Sequence, residues 1–299
     1  MMVRPAAFGY NPETAASNAF QRAPAGNADA AAAALREFDA LADQLRGAGV
    51  EVIVVADTPE PPKPDAIFPN NWVSFHADGT IVLYPMLAPN RRAERREELL
   101  AAVVRQGAFR GVRCIDLSGH EAQGHYLEGT GSLVLDRAAH IAYASLSPRT
   151  TLDALGDFAQ QLDYELIAFE AADAHGRAVY HTNVLMSVGA GFAVVCGAAI
   201  GAPGHRDAVF ARLASTGHEI IDLTMLQMQH FAGNLLQLAG GAGTVVALSV
   251  TAWDSLDAAQ RAALARHGTV VRADIPTIER LGGGSVRCML AEIHLPKRG

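Results

Sequence analysis

Apolar and polar residues alternate along this chain in short paired runs. Each pair is followed by a stretch of helical period and then by one further apolar run. The clearest instance opens with strand-like runs at 72–77 and 80–86, joined by Asp78-Gly79, a dipeptide that favours a tight hairpin turn. Residues 91–106 then read as a charged helix, with Leu99, Leu100, Val103 and Val104 on one stripe and Gly107 as its stop. A single strand at 112–117 completes the unit.

The same order returns three times with little repetition of sequence. The second unit pairs 132–135 with 140–145 across Arg137-Ala138, starts its helix near Arg149 and ends in a strand at 165–169. In the third, 184–188 and 192–196 flank Gly189-Ala190-Gly191, a helix opens after Pro203-Gly204, and 219–223 is the strand. The fourth joins 235–238 to 244–250 and ends in a strand at 270–273. Its helix is predicted over 255–267, capped by Ser255, whose side-chain oxygen can accept from free helix N–H groups. A period of roughly 50–60 residues is at the long end of repeat lengths.

A fifth hairpin begins at Val286, and the missing parts stand at the other end of the chain. There an Ala-rich helix over 30–46 follows Asp29, a strand is predicted at 51–56, and residues 5–10 could supply a second hairpin strand. Five ββαβ units completed jointly by the two ends predict an α/β fold closed into a pseudo-fivefold ring, a five-bladed propeller whose closure removes exposed sheet edges. No linker divides the chain, so residues 1–299 are expected to form a single domain. The Pro-rich stretch 59–64 and the small residues of 21–28 read as loops.

Composition narrows the classes of function. Half of the 299 residues are hydrophobic, and the formal net charge of -7, without a long basic run, argues against nucleic acid. Arg91, Arg92, Arg95 and Arg96 interleave with Glu94, Glu97 and Glu98, which reads as the solvated face of a helix. No uncharged apolar run approaches the roughly 20 residues that span a bilayer, and no signal-peptide core opens the chain, so no membrane is expected. Cys114, Cys196 and Cys288 form no C-x-x-C pair and fit a reducing cytoplasm. Cys196 reads as core and Cys114 as structural.

The run Leu281-Gly282-Gly283-Gly284-Ser285-Val286-Arg287-Cys288 has a different character. Three glycines add no packing and cost backbone entropy on ordering, so they mark unusual dihedrals or close approach. They deliver Cys288 either as a thiol nucleophile or as a small buried hydrophobe. The loops entering the other hairpins carry polar groups at matching places: Phe68-Pro69-Asn70-Asn71, Leu127-Glu128-Gly129-Thr130-Gly131, His181-Thr182-Asn183 and Gly233-Asn234. In a ring these loops would meet at one end of the axis. Singly, Glu128 could be a surface acid, His181 a half-buried histidine and the asparagines turn residues. Together they suit a thiolate attacking an electron-poor carbon. His181 would protonate the leaving nitrogen and then activate water, while Glu128 orients a planar N–H-rich group.

The Gly-Gly-Gly-x-x-x-Cys stretch, the mid-chain Glu-Gly loop and His-x-Asn together resemble the guanidine-modifying enzyme superfamily of arginine deiminases, dimethylarginine dimethylaminohydrolases and amidinotransferases. The resemblance spans essentially the whole chain and implies the pentein propeller. It further implies Cys288 as nucleophile, His181 as general acid/base, Glu128 as the carboxylate holding the substrate's terminal nitrogens, and Phe68 as a ring near the substrate plane. Asn70, Asn71 and Asn183 are the expected substrate-binding amides. Arginine-processing relatives carry aspartates where this chain has Asn71 and Asn183. Charge-assisted hydrogen bonds contribute roughly 1.5–3 kcal/mol each, so neutral amides weaken cation binding and suit a ureido carbonyl.

Phe-Pro-Asn-Asn-Trp and Leu-Glu-Gly-Thr-Gly-Ser resemble the citrulline-utilisation hydrolase branch, which implies cleavage of citrulline to ornithine, carbon dioxide and ammonia through an S-carbamoyl intermediate. Hydrolysis of arginine or dimethylarginine, amidino transfer, and a binding protein on the same fold are the alternatives. His120, Glu121, His125 and Glu128 could suggest a metal, but their spacing lacks the helical His-Glu-x-x-His arrangement. A small amino-acid substrate is therefore expected without metal or cofactor, and a homo-oligomer is left open.

Overall fold

The computed structural model describes residues 1–23, 29–110 and 113–298. The expected loop at 24–28 and residue 112 of the expected strand lie outside them. The chain opens with β1 (Met2–Arg4), the single turn α1 (Pro12–Ala15), the long helix α2 (Ala30–Gly47) and β2 (Val54–Ala56). The next unit is β3 (Val73–Phe75), β4 (Thr80–Leu83), α3 (Glu97–Gln106) and β5 (Arg113–Asp116). Then come α4 (Gly129–Ser132), β6 (Val134–Asp136), β7 (Ile141–Leu146), α5 (Leu152–Leu162) and β8 (Glu165–Glu170). The third unit holds α6 (Thr182–Leu185), β9 (Met186–Gly189), β10 (Phe192–Val195), α7 (Pro203–Ser215) and β11 (Glu219–Asp222). The fourth holds α8 (Met225–Gln229), β12 (Leu236–Gly240), β13 (Gly243–Ser249), α9 (Val250–Ser255), α10 (Ala258–Arg266) and β14 (Thr269–Ala273). Helix α11 (Pro276–Gly282) and a 3-10 turn at Val286–Met289 follow.

Four sheets share one topology. In β3-β4-β5, β6-β7-β8, β9-β10-β11 and β12-β13-β14 the first two strands are antiparallel and the third runs parallel to the middle one. A parallel third strand needs a long crossover, and a helix supplies it while burying its apolar stripe on the sheet. In α2 that stripe is Ala34, Phe38, Leu41, Ala42 and Leu45, all buried and spaced by helical steps. Neighbouring units touch through their first strands, β6 against β9 and β9 against β12.

The fifth unit departs from expectation. Val286 opens a 3-10 turn rather than a hairpin, and the fifth sheet is the parallel pair β1–β2, with Met2 opposite Val54. The strand therefore lies at 2–4, not 5–10. A backbone pair still joins residues from the two ends: the Met1 amino group donates to Ala291 O at 2.8 Å, and Ala291 N–H donates to Met1 O at 3.1 Å.

Other expectations fail for local reasons. The helix expected over 255–267 is α10, which starts later, capped by Asp257 rather than Ser255 in a reciprocal box with Gln260, while Ser255 ends the preceding helix α9, capped by Ser249. Asp29 precedes α2 but makes no side-chain cap bond. The helix over 91–106 begins only at Glu97, after a 3-10 turn at Pro89–Glu94 that turns Arg91 and Glu94 inward, each 2% exposed. These two are not on a solvated face because they pair bidentately, Arg91 Nε to Glu94 Oε1 and Nη2 to Oε2, both at 2.9 Å. Cys196 is buried, whereas Cys114 is exposed on β5 and not an interior residue. No helix among the described residues is long and apolar enough to cross a membrane.

Candidate active site

Short helical turns carry the polar residues picked out in the sequence. Asn70 and Asn71 lie in a 3-10 turn at Pro69–Asn71, Glu128 immediately precedes α4, His181 immediately precedes α6, and Cys288 lies in the turn Val286–Met289. The turn at Pro69–Asn71 packs against both α4 and the cysteine turn, and α4 packs against α6. Asn234, just before β12, spans the remaining interval: its Nδ2 donates to Asn183 O at 3.0 Å, and its Oδ1 accepts from Arg287 N–H at 3.0 Å. Phe68, Asn71, His181 and Cys288 thereby line one narrow cavity of about 10 Å³. Glu128, Asn70 and Asn183 are buried but are not among its lining residues.

The glycines earlier marked as unusual have specific neighbours. A Cβ on Gly282 would stand 2.7 Å from Phe68 Cζ, and one on Gly284 would stand 3.1 Å from the same ring and 3.3 Å from Cys288 Cβ. Their bare backbone lets Phe68 press against the segment that carries the thiol. Gly283 has φ of +64°, a left-handed conformation, and its carbonyl accepts from Tyr180 Oη at 2.6 Å. Gly131 does the same service between two site residues, since a Cβ there would lie 2.6 Å from Asn71 Nδ2 and 2.8 Å from His181 Nδ1.

His181 Nε2 lies 2.8 Å from Glu128 Oε2. Burial pushes the imidazole down to about 4, although the hydrogen bond and charge of Glu128 oppose that shift. A neutral His181 gives its Nε2–H to the carboxylate and leaves Nδ1 with a free lone pair. Burial alone would raise the Glu128 carboxyl, but Arg149, His181 and Arg91 together outweigh it and hold the group well below the usual carboxylate range. Glu128 Oε1 accepts from Leu87 N–H at 3.1 Å, and Oε2 accepts from Arg149 Nη1 at 3.3 Å. Its lone pairs are thus engaged within the protein.

The thiol is 2% exposed and is surrounded by amides. Cys288 Sγ lies 3.3 Å from Asn234 Nδ2 and 3.6 Å from Asn183 Nδ2. Asn183 Nδ2 also donates to Thr130 O at 3.2 Å. Asn71 Nδ2 donates to Asn70 Oδ1 at 3.0 Å, and Asn71 Oδ1 accepts from Arg91 Nη1 at 2.7 Å. Asn70 Nδ2 is buried without a partner.

Several cavity residues were not recognised from the sequence. Arg91 is buried, although its local pattern of alternating charges predicts a solvated face. Asp65 has one carboxylate oxygen bonded by Asn11 Nδ2 at 2.7 Å and Thr14 Oγ1 at 3.0 Å, while Oδ1 is buried without a partner. Arg149 lines the cavity and ties down the segment around α1, donating to Thr14 O from Nη2 at 2.9 Å and to Ser17 Oγ from Nε at 2.9 Å. Arg287 lines a different cavity, with Nη1 on Leu290 O at 3.0 Å and Nη2 near Glu292 at 3.2 Å. His120 and His125 pair with Asp157 and Asp153, and Glu121 pairs with Arg92 and Arg95, each pointing to its own partner. Among the described residues no three His, Cys, Asp or Glu side chains converge as a metal site would need.

A family model described as N,N dimethylarginine dimethylhydrolase, eukaryotic, matches residues 4–295. No curated protein matches the chain in sequence. Among solved structures, the apo form of ArgZ, described as an arginine dihydrolase from the ornithine-ammonia cycle in cyanobacteria, aligns with a TM-score of 0.75 at 17% identity. That alignment covers 99% of this chain but 40% of ArgZ, so the chain spans well under half the length of that neighbour. A mutant of AgrE in binary complex with L-arginine aligns with a TM-score of 0.76 at 18% identity, over 99% of this chain and 40% of AgrE. A dimethylarginine dimethylaminohydrolase variant carrying an adduct with S-methyl-L-thiocitrulline aligns with a TM-score of 0.65 at 16% identity, over 96% of both chains.

Proposed function

Because the chain belongs to the N,N-dimethylarginine dimethylhydrolase family, we propose that it is a cysteine-dependent hydrolase that cleaves citrulline to ornithine, carbon dioxide and ammonia. In this reading Cys288 Sγ attacks the ureido carbon and its proton passes to His181 Nδ1. The imidazolium, stabilised by Glu128, gives that proton to the δ-nitrogen as the C–N bond breaks. Ornithine leaves and an S-carbamoyl cysteine remains. Water then attacks the same carbon, losing a proton to His181. The thiolate departs and recovers that proton, and the released carbamic acid falls apart to carbon dioxide and ammonia.

The observation that carries the reading is the shared cavity of Cys288 and His181, with Glu128 bonded behind the imidazole. The choice of a neutral ureido group rests on charge. Arg91 and Arg149 already line the cavity, and Glu128 is engaged by Arg149 and His181. Arg91 is compensated by Glu94 and Arg149 by Glu128, which leaves Asp65 as the one carboxylate among the lining residues, where a guanidinium would need its charge matched at the reacting end. An amino acid with a neutral tail instead finds Asp65 Oδ1 for its ammonium and the two arginines for its carboxylate. Phe68 and Asn71 would contact the ureido group, with Asn70 and Asn183 supporting from behind.

Arginine is the second reading, favoured by the names of ArgZ and AgrE's ligand. We also infer one catalytic unit over residues 1–299, its five sheets closed in a pseudo-fivefold ring. The succession of packed turns from residue 68 round to Cys288 and back supports it. A panel of citrulline, arginine, dimethylarginine and agmatine, with ammonia and ornithine measured separately, tests the substrate. Citrulline is expected to give equal amounts of both products. Faster turnover of arginine would overturn the choice of citrulline. Cys288→Ser retaining most of the turnover would end the mechanism.

A further inference from the structure

The loop Gly233-Asn234 ahead of β12 contributes no group to the steps above, yet Asn234 is fully buried and lies 3.3 Å from the reacting sulfur. We propose that Asn234 stabilises the thiolate of Cys288 through an amide N–H···S hydrogen bond and is therefore a catalytic residue of the reaction. This rests on Cys288 being the nucleophile and not on which substrate it attacks.

The orientation of the amide follows from its neighbours. Arg287 N–H can only donate, and it faces Asn234 Oδ1 at 3.0 Å. The Asn183 carbonyl can only accept, and it faces Asn234 Nδ2 at 3.0 Å. Both contacts demand the same placement of oxygen and nitrogen. The second N–H of the amide is then free for Cys288 Sγ, 3.3 Å from Nδ2, whereas Oδ1 is farther away at 3.8 Å. Gly233 permits this approach, because a Cβ there would stand 2.5 Å from Val184 O. Asn183 offers the other donor to sulfur, but at 3.6 Å and shared with Thr130 O.

No cation takes over this task. His181, Tyr180, Asp65, Arg91 and Arg149 are the titratable and charged groups lining the same cavity. The imidazole is held neutral by burial. Tyr180 Oη donates to Gly283 O. Asp65 carries the same sign as a thiolate. Arg91 is bonded to Glu94 and Asn71, and Arg149 to Thr14, Ser17 and Glu128. Arg287, next in sequence, turns its guanidinium to Leu290 O and Glu292. Hydrogen bonds to an ionised acceptor are roughly twice as strong as neutral ones, and a dry site amplifies them. An amide already fixed on both sides needs no reorganisation when charge develops on sulfur.

The test is the rate of iodoacetamide alkylation at Cys288 against pH, read by mass spectrometry of its peptide so that exposed Cys114 does not interfere. Asn234→Ala removes the donor, and Asn234→Asp keeps the acceptor for Arg287 N–H but places a negative charge by the sulfur. Midpoints should rise by about one unit in the first and further in the second, so that alkylation at neutral pH falls roughly tenfold or more. The limiting rate at high pH should be equal or slightly higher, since a more basic thiolate is the better nucleophile. A merely structural strut would lower the melting temperature or scale the rate at every pH, leaving the midpoint unmoved. An unmoved midpoint in a folded variant overturns the proposal. The assay uses no substrate, so failure to hydrolyse citrulline would sink the substrate reading and leave this one standing.

Discussion

Replacing Glu128 by glutamine keeps the size of the side chain and deletes its charge from the centre of a buried cluster. The carboxylate accepts from Leu87 N–H, His181 Nε2 and Arg149 Nη1, and Arg91 Nη1 lies 3.8 Å away. Removing one member of such a cluster costs about 3–5 kcal/mol, because the remaining charges stay buried. Glu94 still compensates Arg91, so the lower end is expected. At about 2–4 °C per kcal/mol for a chain of this class, the melting temperature should fall by roughly 6–12 °C. The kinetic effect has a separate cause. Glu128 raises the affinity of His181 for a proton against the burial that lowers it to about 4. Without the carboxylate the imidazole is a poorer acceptor of the thiol proton, and kcat should fall by about 100-fold, near 2.7 kcal/mol. The acid limb of kcat/KM, where His181 takes up a proton and stops acting as a base, should move to lower pH. Ammonia release from citrulline across the pH range, with thermal melts beside it, reads both effects. A kcat within threefold of the unaltered protein and an unmoved acid limb would refute the assignment of Glu128 as the support of the base.

Gly131→Ala places a methyl 2.6 Å from Asn71 Nδ2 and 2.8 Å from His181 Nδ1. It should cost about 1–3 kcal/mol of stability and at least tenfold in kcat, checked by melting and turnover of the purified variant. Acid should destabilise the fold in a defined window. Burial depresses His181 to about 4 and His76 to about 3 from the ordinary 6.5, so the unfolded chain binds more protons in this range. Their contribution is complete above pH 6.5 and is lost as pH falls, down to about 4 for His181 and about 3 for His76, with a slope of up to about 2.7 kcal/mol per pH unit for the two together. Denaturant melts at pH 7, 6 and 5 measure it, and His76→Phe should remove one proton's share. Strong chelators should leave turnover unchanged, because His120, Glu121 and His125 each face a different partner.

The repeated hairpin, helix and strand were legible because two-residue and helical periods switch at marked turns, as at Asp78-Gly79 and Pro203-Gly204. Four sheets have the expected topology. The short turns carrying the candidate residues were not read as helical, because three or four residues are too few to show a period. Glu128, His181 and Cys288 could be singled out by their recurring place before a strand. Arg91 could not, since alternating acids and bases look alike on a wet helix and in a buried ion cluster. Its partners Asn71 and Asp65 come from another loop. The covering segment with Thr14 and Ser17 is small and polar, and only Arg149, far along the chain, reveals what it covers.

The site draws on five stretches that reach from Phe68 to Cys288, and the sulfur comes last in the order of synthesis. Arg91, Glu128, Arg149 and His181 therefore all precede Cys288, the proposed nucleophile, in a growing polypeptide. A cut anywhere between these stretches that let the pieces drift apart would leave no fragment able to carry out half of the chemistry.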